Sequence, residues 1–193
     1  MKLLFAHGLA SSGAYKLADT LRICLKAEVV APDLPIDPDA ALALLRSLCE
    51  QEKPDLTVGL SWGGFLVQQL RGQRKVLINP DLNISVLLHV LKGEVKYLSP
   101  RRDGATSLTI TAALCDRYQA LEAVQFAGID AAERARTLGF FALQDELVHC
   151  GPLFEKNYPG QAIAYPGGHL PTFPEVKQFI APRMQQFYLE GRL

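Results

Sequence analysis

Short apolar runs without alternation recur along this chain, each closed by glycine, proline or a polar residue and followed by a stretch of helical spacing. Leu3 to Ala6 is the first, and the same texture returns at Glu28 to Ala31, Asp55 to Leu60, Lys75 to Ile78, Thr137 to Leu143 and Ala162 to Tyr165. A strand wetted on one face alternates apolar and polar residues, whereas a strand covered on both faces does not. Between the runs, Ala14 to Lys26 sets Leu17, Leu21 and Leu25 on one helical face, and Pro38 to Glu52 does the same with Ala41, Leu42, Leu45 and Leu48. Further helices are expected from about Gly64 to Arg71 and from Val176 to Leu189, where Pro182 kinks or divides the last one. Regular alternation of this kind predicts an α/β fold, an open and mostly parallel sheet with helices on both faces.

The pattern loosens between Asp81 and Gln125. Ile84 to Leu91 is amphipathic, Arg101-Arg102-Asp103-Gly104 is polar, and Thr109 to Val124 is again helical in spacing. This segment reads either as a small helical lid or as one more pair of surface helices. There are no internal repeats, low-complexity tracts or linkers, so residues 1–193 are expected to form a single domain, a length that buries a full core.

Composition removes several classes of function. Lys+Arg and Asp+Glu balance at 20 each, which leaves no electrostatic footprint for nucleic acid or an anionic membrane. Cys24, Cys49, Cys115 and Cys150 lie far apart with no metal-ligand spacing and read as buried reduced thiols. The apolar run after Lys2 is too short for a signal peptide, and no stretch approaches the length of a membrane span. The expectation is a soluble cytoplasmic protein without a metal; oligomeric state is not legible.

Gly59-Leu60-Ser61-Trp62-Gly63 directly follows the apolar Leu56-Thr57-Val58 and precedes a helical stretch. A serine on so sharp a strand-to-helix turn has strained backbone angles, and side chains two residues to either side would collide with the crossing strand and helix, so glycine suits both places. The result is an exposed hydroxyl at the carboxyl edge of a sheet, with the Trp62 amide in the first helical turn free to receive an oxyanion. A pentapeptide like this arises by chance in about one chain in fifteen of this size, so its context decides.

Activating a serine takes a base, and a carboxylate to fix that base's tautomer. In an open parallel sheet such groups collect where strands end. The ends here carry His7-Gly8, Ser61, Asn79, Asp145 and His169. His169 sits on a loop after two glycines, where an imidazole can reach into a cleft; His89 lies within an amphipathic segment and His149 near a helix start. Asp145 is the candidate acid, with Glu146 and Asp33 as rivals and capping of the Leu147 to Glu155 helix as its plain structural reading. A second oxyanion donor is expected from the first strand's loop, the Leu9 amide, with His7 and Gly8 shaping that loop. Ser11 and Ser12 either support the loop or cap the next helix.

With His7-Gly8-Leu9-Ala10-Ser11-Ser12, Gly59 to Gly64, Asn79-Pro80, Gln144-Asp145-Glu146-Leu147-Val148 and Gly167-Gly168-His169 in that order, the chain resembles the small bacterial esterases of the YqiA/YcfP type within the α/β-hydrolase superfamily. The order Ser61, Asp145, His169 is that of α/β-hydrolases. The resemblance implies an α/β-hydrolase fold and a Ser61, His169, Asp145 triad. It also implies cleavage of carboxylic esters or thioesters, such as short acyl esters or acyl-CoA, without metal or organic cofactor. Trp62 departs from relatives that carry a smaller residue there, and its indole is expected to narrow the acyl pocket. Thioesterase and peptidase variants, and a non-catalytic binding module on the same fold, are the alternatives.

Overall fold

A computed structural model of the chain describes residues 1–191. In chain order the strands are β1 (Lys2–Ala6), β2 (Glu28–Val30), β3 (Leu56–Leu60), β4 (Lys75–Ile78), β5 (Gly93–Lys96), β6 (Ser107–Ile110), β7 (Thr137–Ala142) and β8 (Ala162–Tyr165). The helices are α1 (Lys16–Leu25), α2 (Pro38–Glu52), α3 (Trp62–Gln68), α4 (Ile84–Val90), α5 (Ala112–Val124), α6 (Ala131–Ala135), α7 (Gly151–Asn157), α8 (Phe173–Glu175) and α9 (Ala181–Glu190).

The main sheet has the order β2-β1-β3-β4-β7-β8, and every pairing in it is parallel. All five residues of β3 are buried, as its unalternating sequence requires. Two apolar cores, one per face, sandwich this sheet: Leu17 and Leu21 of α1 pack with Ile180, Met184 and Phe187 on one side, Leu42 and Leu45 of α2 with Phe65 and Leu66 of α3 on the other. The architecture is the expected doubly covered parallel sheet.

Local chemistry sets the helix ends. Asp37 accepts the Ala40 amide at 3.0 Å ahead of Pro38 at the first helical position, and Lys53, at φ 46°, closes α2 in the left-handed conformation. At the other end of the chain α8 and α9 are joined by a π-helical turn, Val176–Ile180, and Pro182 falls in the first turn of α9, where its missing N–H is harmless.

The segment that follows β4 differs from its helical reading. Helices α4 and α5 are present, but between them β5 and β6 form an antiparallel hairpin, with Gly93 opposite Ile110 and Lys96 opposite Ser107. The residues between Leu91 and Thr111 therefore form a β-arm that neither helical reading contained. All four cysteines are free thiols, and burial pushes Cys49 and Cys150 up to about 11. No helix among the described residues is long and apolar enough to cross a membrane.

Candidate active site

Strand order reverses between β1 and β3: from β1 the chain crosses to β2 on one side, from β3 to β4 on the other. Crevices at such points receive ligands, and here the loops after β1 and β3 meet. Ser61 sits between β3 and α3 at φ 54°, ψ −118°, a strained conformation for a residue with a Cβ. Its amide donates to the Ile78 carbonyl at 3.0 Å and its carbonyl accepts the Asp81 amide at 3.1 Å, so neighbouring backbone clamps the turn from both sides. A Cβ on Gly59 would press into the backbone of Gly63 and Gly64, and one on Gly63 into the carbonyl oxygens of Ala6 and His7. The glycines are there because two main chains occupy the space a methyl would need.

Asp145 follows β7 and His169 follows β8. The structure brings both to Ser61: His169 Nε2 lies 2.9 Å from Ser61 Oγ, and His169 Nδ1 lies 2.8 Å from Asp145 Oδ2. An ionised Asp145 only accepts, so Nδ1 carries the proton and the Nε2 lone pair faces the serine hydroxyl. The other Asp145 oxygen accepts the amides of Leu147 and Val148, both at 2.9 Å. Those bonds organise a turn, and α7 begins only at Gly151, so the capping role falls outside the helix proper. Of the rivals, Glu146 is exposed, whereas Asp33 ties two loops by accepting the Gly13 and Arg102 amides, each at 2.7 Å. Burial pushes the Asp33 carboxyl up, but those amides and the Arg101 and Arg102 charges outweigh it and hold it below the usual range. His89 and His149 are exposed and do not join Ser61.

Two residues of the Asn79-Pro80-Asp81 turn bear on the site, and sequence reasoning gave them no role. Asn79, buried and at φ 44°, accepts the Ala142 amide at 2.8 Å and donates to the His169 carbonyl at 2.8 Å and the Tyr165 hydroxyl at 2.9 Å, with the Gly168 carbonyl at 3.3 Å. It fastens the loop carrying His169 to the end of β7. Asp81 is a second buried carboxyl beside the site. Burial pushes it up to about 6; the Asn83 amide and His169 oppose that, while Glu122 and Asp145 add repulsion. The only sequence signal for either is an asparagine–proline pair at a strand end.

On the β1 side, the Leu34 amide donates to His7 Nε2 at 3.0 Å, so His7 Nδ1 bears the proton that bonds the Gly8 carbonyl at 2.8 Å. Burial holds this imidazole down at about 4, neutral at physiological pH. The Leu9 and Trp62 amides have no protein acceptor among the described residues, as expected for a loop and a helix N-terminus beside an open site. Ser11 contacts Ser99 (Oγ to Oγ 3.3 Å) and Ser12 accepts the Ala14 amide at 3.2 Å, so both brace the loop, while α1 is preceded by Tyr15 without a side-chain cap.

Ser61 and His169 open into a cavity of about 270 Å³ lined by Gly8, Leu9, Leu60, Leu87, Leu91, Val95 and Leu147 among others. Part of that wall comes from α4 and the β-arm, which is pinned to the β1 loop by the Leu98 amide on the Ala10 carbonyl at 2.7 Å. Trp62 corrects an expectation. Its indole is buried beneath the turn, donates to the Tyr118 hydroxyl at 2.8 Å and contributes nothing to the cavity wall. An elbow residue points away from the face that the serine presents, so its size acts on the core and on α5, not on the pocket. Among the described residues no cluster of His, Cys, Asp or Glu could hold a metal ion.

No protein-family model and no curated protein sequence matches the chain. Solved structures do match its fold along nearly all its length. A chain from the structural description of the metagenome-derived lipolytic enzymes LipS and LipT is 18% identical with a TM-score of 0.63, over 98% of this chain and 93% of that one. The fluorophosphonate-binding serine hydrolase F of Staphylococcus aureus is 17% identical with a TM-score of 0.60, over 97% and 83%. The α/β-hydrolase domain-containing protein 10 from mouse is 10% identical with a TM-score of 0.57, over 99% and 88%. The fold of this chain is the α/β-hydrolase fold.

Proposed function

We propose that the chain is a single-domain serine hydrolase that cleaves carboxylic ester or thioester bonds of small acyl substrates, with Ser61 as nucleophile, His169 as base and Asp145 as the carboxylate that orients it. The observation that carries this reading is the unbroken hydrogen-bonded run from Ser61 Oγ through His169 to Asp145, at 2.9 and 2.8 Å, with Ser61 and His169 lining an apolar cavity. As the Ser61 oxygen attacks the acyl carbon, its proton passes to His169 Nε2, and the Asp145 carboxylate stabilises the imidazolium. The carbonyl oxygen, now an anion, is received by the Leu9 and Trp62 amides, an arrangement in which one donor contributes on the order of a hundredfold or more in rate. His169 then returns the proton to the leaving alkoxide or thiolate, and deprotonates the water that releases the acid from Ser61. No step requires a metal or organic cofactor. Within the superfamily, the motifs from His7-Gly8 to Gly167-Gly168-His169 favour the small bacterial esterases of the YqiA/YcfP type.

The test is turnover of an acyl series of p-nitrophenyl esters and acyl thioesters, beside an aminopeptide panel, by wild type, Ser61→Ala and His169→Ala. The expected result is ester or thioester turnover that falls at least about a thousandfold in both variants. A rate near wild type in either would remove the assignment, and turnover confined to the peptides would move it to the peptidases.

A further inference from the structure

Beside the Ser61 cavity lies a second groove of about 360 Å³, with Val86 and Val90 of α4 and Val148 among its apolar walls. Leu87 and Leu147 line both, so the two openings adjoin. Asp81 lines this groove with all but 7% of its surface buried. Its amide donates to the Ser61 carbonyl at 3.1 Å, which ties it to the turn that carries the nucleophile. Its Oδ1 accepts the Asn83 amide at 3.2 Å, and its Oδ2 has no protein donor among the described residues.

The protein does little to compensate this carboxylate. Burial above all, with repulsion from Glu122 and Asp145, pushes it up to about 6, and the Asn83 amide and His169 oppose that only in part. Among the described residues no lysine or arginine lines the groove, and His149, which does, makes no hydrogen bond to Asp81. Glu122 is already bonded to the Ser85 amide and hydroxyl, each at 2.6 Å, and Asp145 to His169. Buried polar groups in native proteins are bonded, and one that lacks a protein partner where a groove opens is placed to meet a ligand. Three features define that ligand: an N–H donor for Oδ2, positive charge to offset the neighbouring carboxylates, and carbon to lie against Val86, Val90 and Val148. A metal ion lacks the carbon and would find no cluster of ligands here among the described residues. An alkylammonium has all three, and its charge-assisted bond to a carboxylate is about twice as strong as a neutral one. Resting on the hydrolase reading above, we propose that this groove is a subsite for an ammonium group carried on one half of the substrate, held by Asp81 and the apolar walls beside it, so that the enzyme selects cationic esters or thioesters over neutral ones.

Binding is separated from chemistry in Ser61→Ala, titrated by NMR with hexylammonium chloride and, as the neutral counterpart, 1-hexanol. Hexylammonium is expected to bind at least about tenfold more tightly. Asp81→Asn in the same background keeps the shape of the side chain, and cooperative urea unfolding reports its fold; it should bring the two affinities within about threefold of each other. Val90→Lys, which adds a cation at an exposed position of the groove wall, should weaken hexylammonium and not hexanol. With Ser61 intact, aminoalkyl esters should exceed alkyl esters of matched length about tenfold in kcat/KM, chiefly through KM, and lose that advantage in Asp81→Asn. Equal affinity for hexylammonium and hexanol, or a preference that survives Asp81→Asn, would overturn the proposal. Asp81-dependent binding of hexylammonium by a protein that hydrolyses no ester would leave the subsite standing and defeat the hydrolase reading; ester hydrolysis indifferent to the ammonium group would do the reverse.

Discussion

Replacing Asn79 tests how the histidine loop is held. Its carboxamide makes bonds of 2.8 Å to the Ala142 amide, 2.8 Å to the His169 carbonyl and 2.9 Å to the Tyr165 hydroxyl, all without appreciable solvent at Asn79 itself. In Asn79→Ala those three groups lose their partner together. Each buried group left unpaired costs about 1–3 kcal/mol, and water admitted to the vacated space recovers part of it, so a loss of about 3–5 kcal/mol is expected. The backbone adds a separable term. At φ 44° an alanine Cβ crowds its own carbonyl, so Asn79→Gly should be more stable than Asn79→Ala by about 1 kcal/mol, although glycine is ordinarily the more destabilising residue. Urea unfolding of the three proteins measures both terms. A loop no longer fastened lets the imidazole leave the serine, and kcat on a soluble ester should fall about ten- to a hundredfold in both variants. Asn79→Ala within 1 kcal/mol of wild type (below the estimated range), or more stable than Asn79→Gly, would refute the reasoning.

Gly63→Ala places a methyl against the carbonyl oxygens of Ala6 and His7 and should cost more than about 3 kcal/mol or prevent folding, whereas Gly8→Ala, whose Cβ would meet Ser61 Cβ at 3.7 Å, should unfold within about 1 kcal/mol of wild type; equal effects would contradict the packing argument. For Asp81, the native carboxyl keeps its proton up to about pH 6 while the unfolded one loses it near 3.8, so the native state binds more protons in between and stability falls as pH rises through that window. Asp81→Asn should therefore gain about 1–3 kcal/mol relative to wild type between pH 4 and pH 8 in denaturant titrations, and a flat difference would count against a buried carboxyl. His7 acts in the opposite direction: held down at about 4, it makes stability rise with pH between 4 and 6.5, so the wild-type profile is flatter than that of Asp81→Asn. Trp62→Phe removes the bond to Tyr118 and should cost about 1–2 kcal/mol, yet leave the preferred acyl length unchanged because the indole does not wall the cavity; a shifted length preference would refute that.

The main sheet was readable because strands buried on both faces carry an uninterrupted apolar signal, as in Leu3-Leu4-Phe5-Ala6 and Lys75 to Ile78, and each coincides with a strand within a residue or two. Ser61, Asp145 and His169 could be singled out because each lies at a strand end, a place where residue type carries information. The β-arm escaped notice for the converse reason: Gly93–Lys96 is largely exposed, Ser107–Ile110 buries only Leu108 and Ile110, and at four residues each, separated by a long polar loop, neither carries a run long enough to read. Direction was the other blind spot. Sequence places an indole at position 62 but not the Tyr118 hydroxyl that accepts from it, itself donating to the Ile36 carbonyl, and it places Asn79 at a strand end but not the three chain segments that converge on its amide. Contacts between residues distant in sequence decided both.

The central claim is that Ser61 is an activated nucleophile. Intact-mass spectrometry after incubation with a fluorophosphonate, on wild type and on Ser61→Ala in parallel, tests it most directly. The account predicts one adduct on the wild-type protein and none on the variant; a folded wild-type protein that stays unlabelled, or a Ser61→Ala protein labelled as readily, would contradict it.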